Sequence, residues 1–320
     1  MRDTYGRQID YLRISLTDRC NFRCHYCLPD GCLDVGHDAI LRYEEIERIV
    51  DAAVRVGIRK FKITGGEPLV RKGAVPFMGR LKVLPGVEQV TLTTNGYALL
   101  PHLPYLANIG MDSINISLDS TDREQFQRIT KVDGLLQTMA AIRESVRLGI
   151  HTKINAVLLD ETKEQLLPLA RLAEEMPVDV RFIELMPIGF GGTCHGETED
   201  AVLPLLRSLW PDLQRTAYRG NGPAVYYTSK ALQGHIGFIA ANSHQFCETC
   251  NRLRLTSTGF LKSCLCYDVG IDLKPIVRHD NSIQKLEAAF AKAIAIKPKA
   301  HCFAKRSEIT EQKGMNQIGG

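Results

Sequence analysis

Apolar and polar positions in the first 190 residues follow two alternating rhythms. Short runs with a two-residue period predict strands at IDYLRISL (9–16), KFKIT (60–64), EQVTLTT (88–94), DSINISL (112–118), HTKINAVL (151–158) and DVRFIEL (179–185). Between them the period lengthens to that of a helix. Residues 43–56 place Ile46, Ile49, Val50, Ala53 and Val54 on one stripe, and Gly57 ends it. Further helices are predicted over 74–84, 98–108, 134–148 and 161–175. Six strands separated by helices predict an α/β fold with a parallel sheet and right-handed crossovers. Six units are too few for a closed eight-fold barrel, which leaves a partial barrel or a doubly wound sheet. After residue 187 the texture changes. GFGGTCHGETED (189–200) reads as a loop, and a helix at 201–209 and strands at 225–228 and 236–240 follow. A helix at 281–295 precedes a polar tail ending GMNQIGG. The chain is therefore divided into residues 1–190 and 191–320.

Composition narrows the function. The chain has 320 residues, a net charge of +4, 44% hydrophobic and 24% charged residues, which excludes disorder as its main state. No apolar run approaches a membrane span, and the N-terminal MRDTYGRQIDYLRISL has no secretory apolar core, so the expected location is cytoplasmic. A pI near 8.5 is too mild to imply a nucleic acid or membrane partner. It allows an anionic small molecule where positive charges converge.

Ten cysteines carry the strongest signal. In a reducing compartment, clustered cysteines point to metal ligation or catalysis before disulfides. Cys20-x3-Cys24-x2-Cys27 follows the first predicted strand. Three thiolates so spaced suit a 4Fe–4S cluster with one iron left open, or a zinc site completed by Cys32 or His25. Thr64-Gly65-Gly66-Glu67-Pro68 closes the second strand. Near the other end, Cys247-x2-Cys250 is followed by Cys264, and spacing alone admits zinc as readily as iron–sulfur. Cys266 is one residue removed from Cys264, so an extended segment would point the two to opposite faces. Cys32, Cys194, Cys266 and Cys302 read as bystanders. Arg13, Lys62, Lys153 and Arg181 lie on separate predicted strands. As a set they suit a polyanion such as a triphosphate, with the arginines adding bidentate geometry.

The CxxxCxxC spacing with Tyr26, followed one β/α unit later by the GGEP segment, resembles the radical S-adenosylmethionine (SAM) superfamily. Within it, RISLTDRCNFRCHYCLPDG (13–31), KITGGEPLVR (62–71), LTTNG (92–96), INISLDS (114–120), KINAV (153–157), RFIELMP (181–187), FCETCNRLRLTSTGFLKSCL (246–265) and the final IGG (318–320) are similar to the GTP 3′,8-cyclase family. The matches run in order from Arg13 to Gly320.

The resemblance implies a partial (β/α)6 TIM-like barrel of the radical SAM type, with a C-terminal domain carrying a second iron–sulfur cluster. It implies that Cys20, Cys24 and Cys27 hold one 4Fe–4S cluster and Cys247, Cys250 and Cys264 another. Tyr26, Gly66, Ser117 and Met186 would contact SAM. Arg13, Lys62, Thr93, Lys153, Arg252, Leu253 and Arg254 would contact GTP, with Arg181 a further candidate. Gly319 and Gly320 would insert into the active site and, with Arg13, Arg252 and Arg254, serve catalysis. The implied reaction is GTP to (8S)-3′,8-cyclo-7,8-dihydroguanosine 5′-triphosphate, the first step of molybdenum cofactor biosynthesis. A 5′-deoxyadenosyl radical from SAM would remove the 3′ hydrogen, and C3′ would then bond to C8. Implied partners are a one-electron donor such as flavodoxin or ferredoxin and the downstream cyclic pyranopterin monophosphate synthase; a homodimer is admitted. Two rivals are set against this reading. A peptide-modifying radical SAM enzyme leaves the NRLR segment and terminal glycines unexplained. A non-catalytic zinc or redox-sensing protein leaves the GGEP segment and the strand-borne cations unexplained.

Overall fold

The computed structural model describes every residue except Leu33, Asp34, Arg219, Asn281 and Gly320. Six strands, β1 (Tyr11–Ser15), β2 (Lys60–Thr64), β3 (Gln89–Thr94), β4 (Ser113–Ser117), β5 (Thr152–Leu158) and β6 (Asp179–Glu184), lie side by side in chain order. All five pairings are parallel. The crossovers carry α1 (Tyr43–Arg55), α2 (Ala74–Lys82), α3 (Leu103–Asn108), α4 (Arg123–Thr130), α5 (Leu135–Arg147) and α6 (Leu166–Glu175).

The two-residue rhythm decides which way each strand faces. Leu12, Ile14, Phe61, Ile63, Val90, Leu92, Ile114, Ile116, Ile154, Ala156, Val180 and Phe182 are all buried and belong to one core with the helices. Ile46, Ile49, Val50 and Ala53 of α1 supply the stripe the sequence predicted. The intervening residues, among them Arg13, Lys62, Thr93, Lys153 and Arg181, take the opposite, concave face.

The C-terminal third extends this sheet at both edges. It contributes α7 (Glu199–Leu209), β7 (Gln214–Arg215), β8 (Val225–Thr228), β9 (His235–Ile239), β10 (Arg252–Leu255), β11 (Phe260–Lys262), β12 (Gly270–Asp272), α8 (Ile283–Ala295) and α9 (Met315–Ile318). The sheet order is β12-β11-β10-β1-β2-β3-β4-β5-β6-β9-β8-β7. β10 runs parallel to β1 and β9 parallel to β6, while the outer strands pair antiparallel. The sheet therefore has eight adjacent parallel strands, two more than the six predicted in the first 190 residues. Of the extra two, β9 matches the strand read at 236–240, whereas β10 was not predicted.

Some helices differ from expectation. Pro101 and Pro104 shorten the helix predicted at 98–108 to a 3-10 turn followed by α3. The 161–175 helix opens with a 3-10 segment, Asp160–Gln165, before α6. α4 went unpredicted, although Asp122 caps it by accepting from the Gln125 N–H at 2.8 Å.

β9 is joined to the barrel through aromatic packing. Phe238 is buried, its ring 5.8 Å from those of both Phe182 and Tyr227. Phe238→Ala is expected to cost about 3–5 kcal/mol of stability in urea unfolding. A loss under about 1 kcal/mol would mean that β9 sits on the core without sharing it.

Candidate functional site

The concave face of the sheet and the loops at the strand ends enclose one large cavity. Its lining includes Arg13, Cys20, Cys24, Tyr26, Cys27, Lys62, Gly66, Thr93, Ser117, Lys153, Arg181, Met186, Cys247, Cys250, Arg252, Arg254 and Cys264. The structure thus brings together nearly all the residues singled out from sequence, from positions 13 to 264. Leu253 is an exception: its side chain is buried in the helix-facing core, and it does not line the cavity. Gly320 lies outside the described residues.

Both cysteine triads face this cavity, and all ten cysteines are free. The first triad lies on the loop after β1, where the N–H groups of Cys27 and Leu28 both donate to the Cys24 carbonyl, at 2.9 and 2.8 Å. The GGEP segment is pressed against that loop. Gly66 N–H donates to the Thr17 carbonyl at 2.6 Å and Glu67 N–H to the Arg19 carbonyl at 2.8 Å. A Cβ on Gly66 would stand 2.4 Å from the Arg19 carbonyl oxygen and 2.5 Å from that of Asp18. The glycine is required here for close approach to the cysteine loop itself. The Glu67 carboxylate is taken up by protein donors: Leu69 N–H at 3.0 Å, Thr94 hydroxyl at 2.8 Å and Asn95 N–H at 2.7 Å. Burial outweighs those bonds and raises its pKa to about 7. Asn95 in turn donates to the Asn21 side chain at 2.8 Å, so Glu67 steadies the first cysteine loop through the TNG turn.

The two triads sit in different electrostatic settings, although burial raises Cys247 of the second as it raises the first triad. Burial pushes the first triad's thiols up, Cys20 to about 12 and Cys27 to about 11, with Cys24 well above its ordinary value. Asp119 adds to the effect at Cys24 and Cys27. Its carboxylate accepts the Tyr26 hydroxyl at 2.7 Å and Val157 N–H at 2.8 Å. At the second triad, burial also works upward on Cys250, but Arg252 and Lys297 outweigh it and bring the thiol down to about 7. Lys297 was not singled out from the sequence; its ammonium is fixed by the carbonyls of Arg252 at 2.9 Å and Ser263 at 2.7 Å.

Cys266 corrects an expectation. Residues 263–267 bend rather than extend, so its sulfur lies 3.8 Å from that of Cys264 instead of on the opposite face. It is fully buried in a small core with Ile188, Ala241, Cys302, Phe303 and Ile318 and does not line the cavity. Its thiol lies behind Cys264 and lowers that neighbour's pKa by hydrogen bonding to it.

The cations form rows. In sheet register Arg13 stands between Arg254 on β10 and Lys62 on β2. Burial, then repulsion from neighbouring arginines, lowers the pKa of Lys62 well below its ordinary value. The same two causes bring Lys153 to about 8, while burial chiefly takes Arg13 to about 10. Arg181 is held by the Asn155 side-chain oxygen, with Nε at 2.9 Å. Asp179 is the nearest anion to Lys153, at 4.0 Å, and is itself bound by His151 at 3.1 Å and His235 at 2.9 Å. Such a site favours an incoming polyanion, which relieves the repulsion.

The tail enters the same space. Asn316 lines the cavity and donates to the Asp18 carbonyl at 3.1 Å. The Gly319 carbonyl accepts from Arg254 at 2.6 Å. Gly319 has φ +75°, and a Cβ there would stand 3.1 Å from Thr64 Cγ2, so both backbone and space call for glycine.

Comparison with known proteins agrees with this architecture. The Radical SAM superfamily model matches residues 14–173 and the Molybdenum Cofactor Synthesis C model residues 178–303. GTP 3′,8-cyclase of Clostridium perfringens (strain 13 / Type A) is 40% identical over 323 residues, covering 100% of both chains. That of Heliobacterium modesticaldum is 41% identical over 327 residues, again covering 100% of both. Among solved structures, Streptococcus suis SuiB bound to S-adenosylmethionine superposes with a TM-score of 0.66 at 14% identity, covering 96% of this chain and 77% of SuiB. That likeness shows the fold alone. With full-length relatives at this identity and a site assembled from both matched regions, the chain belongs to the GTP 3′,8-cyclase family of radical SAM proteins.

Proposed function

We propose that this chain cyclises GTP to (8S)-3′,8-cyclo-7,8-dihydroguanosine 5′-triphosphate in molybdenum cofactor biosynthesis. The observation that carries the reading is the convergence of two cysteine triads and seven cations, Arg13, Lys62, Lys153, Arg181, Arg252, Arg254 and Lys297, on one cavity. Three thiols with no fourth protein ligand among the cavity-lining cysteines suit a 4Fe–4S cluster with one open corner at each end. Cys20, Cys24 and Cys27 would hold the first and Cys247, Cys250 and Cys264 the second. A reduced cluster bound at the first triad would supply the one electron that cleaves SAM to methionine and the 5′-deoxyadenosyl radical needed to remove the 3′ hydrogen of GTP.

The chain's own residues bind, orient and enclose. Tyr26, Gly66, Ser117 and Met186 form the SAM end of the cavity. Arg13, Lys62, Thr93, Lys153 and Arg181 form the floor that receives the triphosphate. Arg252 and Arg254, with the main chain of Leu253, place the purine against the second triad, whose cationic surroundings suit an anionic cluster. Gly319 closes the cavity over the substrate, and Gly320 serves catalysis. Residues 1–190 supply the barrel and 191–320 the second triad and tail. An external one-electron donor of the flavodoxin or ferredoxin type, transfer of product to cyclic pyranopterin monophosphate synthase, and a cytoplasmic location complete the proposal. No helix among the described residues is long and apolar enough to cross a membrane.

Three measurements test it. Gly66→Ala is expected to lose about half of the bound iron, since its Cβ collides with the first cysteine loop and leaves the second triad untouched; full iron retention would refute that role. Affinity for GTP should weaken as pH rises through about 8, where Lys153 of the empty site loses its proton. The fall approaches about tenfold per pH unit, because above that pKa binding must take up a proton. Calorimetric titration between about pH 7 and 9 checks it, with Lys153→Met reducing the slope and a flat profile refuting the assignment. The decisive test is anaerobic turnover with GTP deuterated at C3′. Deuterium in the 5′-deoxyadenosine supports the reading, whereas unlabelled 5′-deoxyadenosine or none at all overturns GTP as substrate.

A further inference from the structure

A fully buried ion pair joins the second cysteine loop to the C-terminal tail. Lys262, on β11 and two residues ahead of Cys264, has a side chain with 0% exposure; that of Glu311 has 1%. The Lys262 ammonium bonds the Glu311 carboxylate and donates to the Tyr267 carbonyl at 2.9 Å. Asp268, exposed at the rim, lies 3.9 Å away. The other Glu311 oxygen accepts the Lys313 N–H at 2.8 Å. Main-chain bonds reinforce the joint, with Thr310 and Glu311 N–H both donating to the Cys266 carbonyl at 3.2 Å.

Beyond the joint the tail crosses the cavity. Gly314 meets Gly189, where a Cβ would stand 3.0 Å from Gly314 Cα. Asn316 presents its main-chain N–H to the Cys27 thiol and its side chain to the Asp18 carbonyl. Ile318 is fully buried, and Gly319 ends on Arg254. The tail is thus a strut from one cysteine loop to the other, fixed at one end by Lys262 and Glu311.

The chemistry of the fixed end matters. A slide of the tail by one residue would leave a buried charge without its partner, and would move Ile318 out of its buried place and another residue into the cramped position of Gly319. A buried pair adds little net stability over apolar packing of the same volume, and its best-attested use is to select one register. We propose that Lys262 and Glu311 are positioning residues that lock the tail in the single register placing Gly319 on Arg254 and Asn316 on Cys27. Its activity readout rests on the cyclase reading above; its structural readout does not.

The test uses the purified iron-loaded protein and three variants: Glu311→Gln, Lys262→Met, and the double variant Lys262→Met/Glu311→Met. The last replaces the pair with apolar contact and keeps the site filled if either single variant fails to fold. Hydrogen exchange of residues 312–319 is followed by mass spectrometry, beside iron content and the ratio of cyclised product to 5′-deoxyadenosine. The expected result is wild-type iron content, tail exchange faster by about tenfold or more, and a product ratio reduced at least severalfold. The double variant should fold yet keep the fast tail and the reduced ratio. Wild-type tail protection and coupling in Glu311→Gln, or their recovery in the double variant, would overturn the proposal by showing ordinary packing. Wild-type protein that makes 5′-deoxyadenosine without cyclised product would defeat the cyclase reading, and tail exchange would still decide this one.

Discussion

Like charges in neighbouring register positions repel, and the row Arg254, Arg13, Lys62 puts three of them across three adjacent strands. At strand spacing and the effective dielectric of a protein site, each neighbouring pair costs about 3 kcal/mol before the side chains splay. Lys153, Arg181 and Arg252 add to the same enclosed space. The remainder of the molecule is arranged around this unfavourable interior. The helices bury the other face of the parallel strands and secure the sheet regardless of what the concave face holds. The repulsion remains as a standing demand for a polyanion, which a nucleoside triphosphate meets.

The cysteine loops show how the same barrel serves two different needs. The first loop is held by main-chain contacts so close that Gly66 admits no Cβ, and Glu67, Thr94, Asn95 and Asn21 extend that hold into the next β/α unit. Its thiols are buried, with Asp119 beside Cys24 and Cys27, and so resist ionisation. The second triad lies beside Arg252 and Lys297, which favour thiolate and would favour a net negative cluster. One end is held rigid by main-chain contacts, and the other is set by charge.

The tail gives the cavity its fourth wall. Asn316 at Cys27, Gly319 at Arg254 and the buried Lys262–Glu311 pair link segments that begin nearly three hundred residues apart. The main chain of β10 alternates Arg252 and Arg254 toward the cavity with Leu253 and Leu255 toward the core. The tail therefore closes on side chains whose direction the strand has already set.

The sequence by itself determined the six β/α units, because burial of one face imposes a two-residue rhythm that no helix shares. It determined the cysteine triads, the GGEP segment and the strand-borne cations, because those depend on spacing along the chain. It could not reveal β10 as a strand, nor that β10 and the strand predicted at 236–240 flank β1 and β6, since a short segment carries no record of its partners. It misplaced Cys266 relative to Cys264, because a bend set by the tail and by Lys262 replaces the extended geometry that spacing alone assumes. For Gly66, which lines the cavity, it offered ligand approach alone, and the tertiary structure adds a close contact with Asp18 and Arg19. Lys297, Asp119 and the Lys262–Glu311 pair had no signal at all, for each has its meaning only through partners distant in the chain. Local chemistry is written in spacing; which charges share an interior is decided only when strands from both ends of the chain lie side by side.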